Sequence, residues 1–426
     1  MIYETLSKIY HKFSSHPLIE KMGDQYLQGF PWDLQAARRR MQRQLKVRDT
    51  AHAAIRIVFL LQDPFNWNVM RPVYEAAKKA DGFEVDLVAV PYEVTDGGDE
   101  TYRMLVELYG TGEVLRADTK DGWLDLKILR PDYVFLPQPY DQYLPKCYRS
   151  HVISEYARIC FMPYGFVMIH NTVSVGLNGR FCRNVAIFFA DNPYTVHLQK
   201  DRYPANHADG IQKTVSVGYP PLVEFAHLEK TRHRDLLTIG WTPRWNEDPA
   251  LGGSSFLMMK DKIPAYVEQH PETALIFRPH PFLFRHFTET GKITEQESKE
   301  YIQRIEENGR MEYDTNPEYK PAFAEADVLV SDISSILISW IVTGKPLIYC
   351  KASAVFNEYI QPLTEGMYIA GSWEEVENYL DMLRRGEDPL KKKREELLQS
   401  GIVVFDSETP QRILQVVEDD YRQGQN

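Results

Sequence analysis

What most constrains the fold of this chain is an alternation of short apolar runs with longer amphipathic ones, which runs once and then starts again. Ile55-Arg56-Ile57-Val58-Phe59-Leu60-Leu61 reads as a buried strand and Val69 to Lys79 as a helix. Val85 to Pro91 reads as the next strand, Thr101 to Tyr109 as a helix, and Pro131 to Pro137 as a further strand. After about residue 220 the alternation restarts, with strands at 236–240, 275–278, 328–330 and 346–350 and helices at 263–270 and 373–385. Strands separated by helices pair in parallel through right-handed crossovers. Two such series in 426 residues predict an α/β fold of two Rossmann-like domains facing a central cleft, the usual place for a ligand. The expected divisions are a helical N-terminal extension over 1–50, an N-terminal domain over 51–220, a C-terminal domain over 221–390 and a helical tail over 391–426.

The charge balance narrows the function. With 49 Lys plus Arg against 60 Asp plus Glu, the net charge of −11 argues against a general nucleic-acid binder. The cysteines, Cys147, Cys160, Cys182 and Cys350, form no C-x-x-C pair, so neither a zinc site nor a disulfide framework is expected. That usage, a start without a secretory pattern and the lack of a bilayer-length apolar run predict a cytoplasmic protein. Within the extension, Arg38, Arg39, Arg40, Arg43, Lys46 and Arg48 form a basic cluster with Leu34, Ala37, Met41 and Leu45 at helical spacing. This reads as a solvated helix packed on its domain, or as a contact with an anionic membrane surface at the inner face of the cell membrane.

Two segments carry chemistry. Ser331-Asp332-Ile333-Ser334-Ser335 follows the apolar run Ala326 to Val330 and precedes the helix-like run Ile336 to Thr343. A strand, a hydroxyl-rich turn and a helix start place free amides, a positive dipole end and serine hydroxyls together, a cradle for phosphate. The plainer alternative is an N-cap. Arg278-Pro279-His280-Pro281 ends the run Ala274 to Phe277, and its prolines hold an Arg and an imidazole at the carboxyl end of a strand. Arg suits phosphate, and His can add a charge-assisted hydrogen bond. Asp63 follows the first strand, where an acceptor-side carboxylate would sit, though half of such residues only cap the next helix. Tyr140 and Asp141 hold a similar loop position.

The pairing of Arg278-Pro279-His280-Pro281 with Ser331-Asp332-Ile333-Ser334-Ser335, followed by Thr343-Gly344-Lys345-Pro346-Leu347-Ile348, resembles the CDP-glycerol glycerophosphotransferase family, whose members build teichoic acids and related polymers and have a GT-B fold. Gly218-Tyr219-Pro220 resembles the family's G-Y-P segment joining the two domains, and Gly240-Trp241-Thr242-Pro243-Arg244-Trp245 resembles its A-P-T-[WF]-R loop. The resemblance implies transfer of glycerol or ribitol phosphate from a CDP-activated donor to a hydroxyl of a glycan or lipid-linked polymer, releasing CMP, with no further cofactor; no clustered carboxylate motif stands out in the sequence, so no metal is expected. It assigns Arg278, Arg244, Ser331, Asp332, Ser334, Ser335 and Gly218 to the donor side, with His280 as a catalytic residue. The family's His-Gly-x-P-x-K motif has its nearest match in Pro163-Tyr164-Gly165-Phe166, with Tyr in place of His. Tyr164 and Gly165 thus mark the acceptor side, and His170 or Asp63 stands as the base. A glycosyltransferase using a nucleotide sugar and a non-catalytic nucleotide-binding subunit remain open as alternatives.

Overall fold

The computed structural model describes residues 31–47, 54–92, 98–169, 179–230, 236–248, 253–316, 318–351 and 356–423. The chain forms two compact units: unit 1 comprises 1–164, 173–220 and 406–426, and unit 2 comprises 165–172 and 221–405.

Unit 1 is built on β1 (Ile55–Leu61), β2 (Phe83–Ala89), β3 (Val114–Arg116), β6 (Tyr133–Leu136), β7 (Arg158–Phe161), β8 (Val185–Ala190) and β9 (Lys213–Ser216), with β4 (Asp118–Thr119) and β5 (Gly122–Trp123) as a separate hairpin. The main sheet has the order β3-β2-β1-β6-β7-β8-β9, and its pairings are parallel. Its central strands are buried on both faces, which is why they read as unbroken apolar runs. Phe59 on β1 stacks on Phe135 of β6 at 4.8 Å between ring centroids. The succession of strands reverses between β1 and β6, so the loops after these strands flank the point where open α/β sheets bind ligands.

Unit 2 repeats the plan with β10 (Leu237–Thr242), β11 (Thr273–Phe277), β12 (Met311–Tyr313), β13 (Val328–Ser331), β14 (Leu347–Cys350) and β15 (Tyr368–Ala370). They form a parallel sheet of order β12-β11-β10-β13-β14-β15, with its reversal between β10 and β13. The two expected Rossmann-like series are therefore present, each with its own sheet.

The units differ from the continuous domains expected over 51–220 and 221–390. Gly165–Thr172 belongs to unit 2. There Asn357 donates from Nδ2 to the Val167 carbonyl at 2.9 Å and from its amide to the Met168 carbonyl at 2.8 Å, and Ile169 bridges Phe356. The expected tail of 391–426 is two pieces. Helix Lys391–Gln399 stays in unit 2, where Arg394 Nε donates to the Gly344 carbonyl at 2.9 Å. Helix Thr409–Gln423 belongs to unit 1, pinned by Asp420 to Arg158 through Nε at 2.7 Å and Nη2 at 2.8 Å, and to Tyr133 Oη at 2.7 Å. Hydrophobic spacing shows that a helix forms but does not name its partner.

Of the N-terminal extension, helix Pro31–Val47 is described. It buries Ala36, Ala37 and Arg40, and pairs Arg38 with Asp209 at 2.6 Å and Arg43 with Glu155 at 2.9 Å. Leu34, Leu45, Lys46 and Arg48 have side chains outside the described residues. Among the described residues no helix is long and apolar enough to cross a membrane.

Candidate functional site

In unit 2 the two chemistry-bearing segments meet on the loop that leaves β10. The Arg278 amide donates to the Trp241 carbonyl at 2.9 Å and the His280 amide to the Pro243 carbonyl at 3.2 Å. On the other side Thr242 Oγ1 donates to Ser331 Oγ at 2.6 Å, and Arg244 Nη1 donates to the Ile333 carbonyl at 3.1 Å. Arg278–Pro281 and Ser331–Ser335 thus share one carboxyl edge, beside the β10/β13 reversal.

The individual side chains divide into two groups. Ser331 and Asp332 point inward, away from the expected role of direct phosphate contacts. Ser331 is bonded to Thr242 and to the Asp332 carbonyl. Asp332 is fully buried and accepts from the Arg244 amide at 2.8 Å and from the Ser255 amide at 3.0 Å and 3.1 Å. Burial raises its pKa to about 6, with the Ser255 and Arg244 bonds opposing the shift. It ties the Arg244 and Ser255 amides to the end of β13. Arg278 is likewise committed: Nη1 donates to Asp314 Oδ2 at 2.7 Å, with side-chain exposures of 13% and 10%, and its guanidinium lies 6.0 Å from the Tyr319 ring centre.

The second group is Arg244 and Ser334, which are half-buried, with His280 and Ser335, which are exposed. Arg244 Nε is buried without a hydrogen-bond partner among the described residues, and so is Tyr349 Oη, whose pKa is raised by burial and by Asp332. An unmatched guanidinium N–H beside an anchored backbone is a donor waiting for an acceptor. His280 is exposed, with its ring near Trp245 at 5.8 Å and Phe282 at 5.4 Å. Desolvation, then the Arg244 charge, lowers its pKa to about 4. The Phe282 amide donates to Nδ1 at 3.1 Å, so the neutral ring carries its proton on Nε2. The expected charge-assisted bond is therefore a neutral N–H donor until an anion raises the pKa. Ser335 is exposed, and a Cβ on Gly165 would come within 3.3 Å of its Cβ. The helix that follows is only Leu337–Ile341, shorter than the expected 336–343, so hydroxyls and turn amides outweigh any helix dipole here.

The remaining candidates lie in unit 1 or at its edge. Gly218 has φ +92° and follows β9 in unit 1. It makes a turn of unit 1, whereas the donor loops belong to unit 2. Tyr219 Oη donates to the Tyr164 carbonyl at 2.6 Å, while the Tyr164 amide donates to the Pro137 carbonyl at 2.9 Å. The Tyr164 phenol lies 3.1 Å from Tyr140 Oη, and desolvation of its hydroxyl, then Tyr140, raises its pKa although the ring edge stays exposed, which bars it from the role of base. Asp63 caps the turn Pro64–Asn66 by accepting from the Phe65 amide at 3.0 Å. Burial raises its pKa, the Phe65 bond opposes this and Glu100 adds to it. Asp141 is buried and holds Ser150 through its amide at 2.7 Å and hydroxyl at 2.6 Å. His170 lies outside the described residues. Asp314, Ser255 and Tyr349 carry no sequence signal, because their partners come from separate strands.

Two parallel sheets of this order, each with its own reversal, are the GT-B fold. Within it, residues 230–370 match the model of CDP-glycerol:poly(glycerophosphate) glycerophosphotransferase, which shows over that span the family resemblance carried by the His-Pro and Ser-Asp-Ile-Ser-Ser segments. The structure of the wall teichoic acid polymerase TagF is similar, with a TM-score of 0.54 at 13% identity over 99% of this chain and 98% of that one. A putative UDP-N-acetylglucosamine 2-epimerase from Listeria monocytogenes gives 0.59 at 12% identity over 87% and 98%. The UDP-GlcNAc 2-epimerase from Neisseria meningitidis gives 0.58 at 9% identity over 86% and 100%. No curated protein matches the chain.

Proposed function

We propose that this chain is a transferase that moves glycerol or ribitol phosphate from a CDP-activated donor to a hydroxyl of a cell-surface glycan or polymer precursor, releasing CMP. The observation that carries this reading is the cluster of Arg244, His280, Ser334 and Ser335 on one sheet edge, inside the segment that matches the glycerophosphotransferase model. Phosphoryl transfer asks little covalent chemistry of a protein; it asks for positioning and charge stabilisation. Arg244 supplies a fixed guanidinium for the pyrophosphate. His280 Nε2–H donates to an oxygen of the leaving CMP, and Ser334 and Ser335 complete the cradle. Arg278 and Asp332 hold the loops that present these groups. On the acceptor side, Asp63 is the described carboxylate suited to take the hydroxyl proton.

The protein acts at the cytoplasmic side, where nucleotide-activated donors are made, and contact with an anionic membrane through helix Pro31–Val47 would keep it near its product. The pairing of Arg38 and Arg43 with acids weighs against that contact. Salt-sensitive binding to anionic but not neutral vesicles is the outcome that would support it.

The deciding experiment incubates the protein with CDP-glycerol, CDP-ribitol, UDP-sugars and CMP-sugars, reading melting temperature and then nucleotide release. Stabilisation by a CDP-polyol and acceptor-dependent CMP release are expected. Response to a UDP-sugar alone would establish a glycosyltransferase, and binding without release under any acceptor would establish a non-catalytic subunit.

A further inference from the structure

At the carboxyl edge of the unit 1 sheet, phenols gather around Asp63 in an arrangement that phosphoryl transfer does not itself require. Tyr140 and Tyr164 share the 3.1 Å oxygen contact with ring centroids 6.4 Å apart. Tyr140 meets Tyr143 edge to face at 5.9 Å, and Tyr143 meets Tyr92 at 6.1 Å. Tyr143 is 46% exposed, Tyr164 41%, and Phe65, whose amide caps onto Asp63, 40%. Burying such rings is favourable, so three of them left open at one ligand edge mark a surface that something covers. The backbone beneath them is fixed: Tyr164 is held at both its amide and its carbonyl, and Gln62, one residue before Asp63, is bound to Gln138 and to the Tyr143 carbonyl.

The charge of this edge decides between acceptor classes. Among the described residues Asp63 has no cationic partner, and the side-chain charge acting on it is that of Glu100. A chain of phosphodiesters would meet a carboxylate with nothing to neutralise it. Open aromatic faces cover the C–H face of a ring, while a carboxylate and phenols take hydrogen bonds from hydroxyls. An uncharged pyranose offers both.

Building on the transferase reading, we propose that Asp63, Tyr140, Tyr143 and Tyr164 form the acceptor subsite and that it takes an uncharged sugar ring, not a polyol-phosphate chain end. Asp63 accepts the proton of the attacking hydroxyl. The sugar oxygen forms its bond to the polyol-bearing phosphorus, and the P–O bond to CMP breaks with its electron pair leaving on CMP.

Saturation-transfer NMR on the full chain tests this with a panel of methyl hexopyranosides and with glycerol 3-phosphate as the anionic comparator. Saturation of at least one hexopyranoside is expected, lost or weakened about tenfold in Tyr143→Ala and Tyr164→Ala. Trp123→Ala removes an exposed ring of the β4–β5 hairpin and should change nothing. Tyr164→Phe removes one hydroxyl and keeps the ring, so it reports even if the alanine variants fold poorly. Asp63→Asn keeps an oxygen for the Phe65 amide and should lower transfer about a hundredfold while sugar binding persists. Saturation of glycerol 3-phosphate alone, of no hexopyranoside, or of one insensitive to all three tyrosine variants overturns the proposal. Melting shifts with CDP-glycerol, read on the same samples, test the donor separately: their absence would sink the transferase reading and leave the sugar result standing.

Discussion

The Asp332 carboxylate accepts the backbone amide of Arg244 at 2.8 Å, so a fully buried acid sets where the half-buried arginine stands. Asp332→Ala leaves the Arg244 and Ser255 amides unmatched in the interior. It should cost on the order of 3 kcal/mol in urea unfolding. Asp332→Asn keeps one accepting oxygen and should cost less, while donor affinity falls in both because the loop carrying Arg244 loosens. Donor affinity unchanged in the alanine variant would show that Arg244 stands without this anchor.

Arg244 and Arg278 should separate by phenotype. Arg278 is spent on Asp314, whereas Arg244 keeps a buried unmatched N–H. Arg244→Ala should weaken CDP-glycerol binding by about 1.5–3 kcal/mol, the range for a charged hydrogen bond, with a smaller loss of stability. Arg278→Ala should do the reverse, and a double-mutant cycle with Asp314→Ala should return a coupling of roughly 0.5–3 kcal/mol in unfolding free energy. Equal effects of the two arginines on donor affinity would return Arg278 to the phosphate site.

Asp420 ties helix Thr409–Gln423 to unit 1 through three hydrogen bonds from Arg158 and Tyr133. Asp420→Ala leaves a buried guanidinium uncompensated and should destabilise the protein by about 3–5 kcal/mol. Hydrogen exchange should show β6 and β7 losing protection before β10 and β13. Uniform loss across both sheets would mean that the helix is not specific to unit 1.

The architecture is legible where burial makes sequence monotonous. β1, β2, β6, β10, β11, β13 and β14 are central or long enough to read as apolar runs, and the helices between them show their stripe. The edge strands β3, β12 and β15 are three residues each and partly open, so no pattern marks them. Two further elements do carry local signals, though the two strand–helix series leave them out: Val185–Ala190 is wholly apolar, and helix Glu295–Glu307 opens with the capping box Thr294 to Glu297. The donor segments are legible because proline and serine spacing is local. The division of labour within them is not: whether Asp332 or Arg278 faces in or out depends on Ser255 and Asp314, which lie far along the chain. Tyr164 is visible as a departure from the family motif, but its phenol neighbours come from other loops and need the fold to bring them together.

His280 and Asp332 should leave opposite marks on the pH dependence of stability. The folded pKa of His280 lies at about 4, below its ordinary 6.5. Its contribution is therefore full above 6.5 and is lost as pH falls toward 4. Asp332 is raised from 3.8 to about 6, so its contribution is full below 3.8 and is lost as pH rises through 6. The two slopes oppose each other between about pH 4 and 6. Single variants expose them: Asp332→Asn should remove the component that falls as pH rises, and His280→Gln the component that grows. Donor binding then adds a distinct signature. A pyrophosphate beside His280 offsets the Arg244 charge and favours the imidazolium, so CDP-glycerol should bind with proton uptake near about pH 5.5. Calorimetry in two buffers of different ionisation enthalpy measures that uptake, and His280→Gln should abolish it. Uptake that survives in His280→Gln would move the proton to another group and remove His280 from the phosphate site.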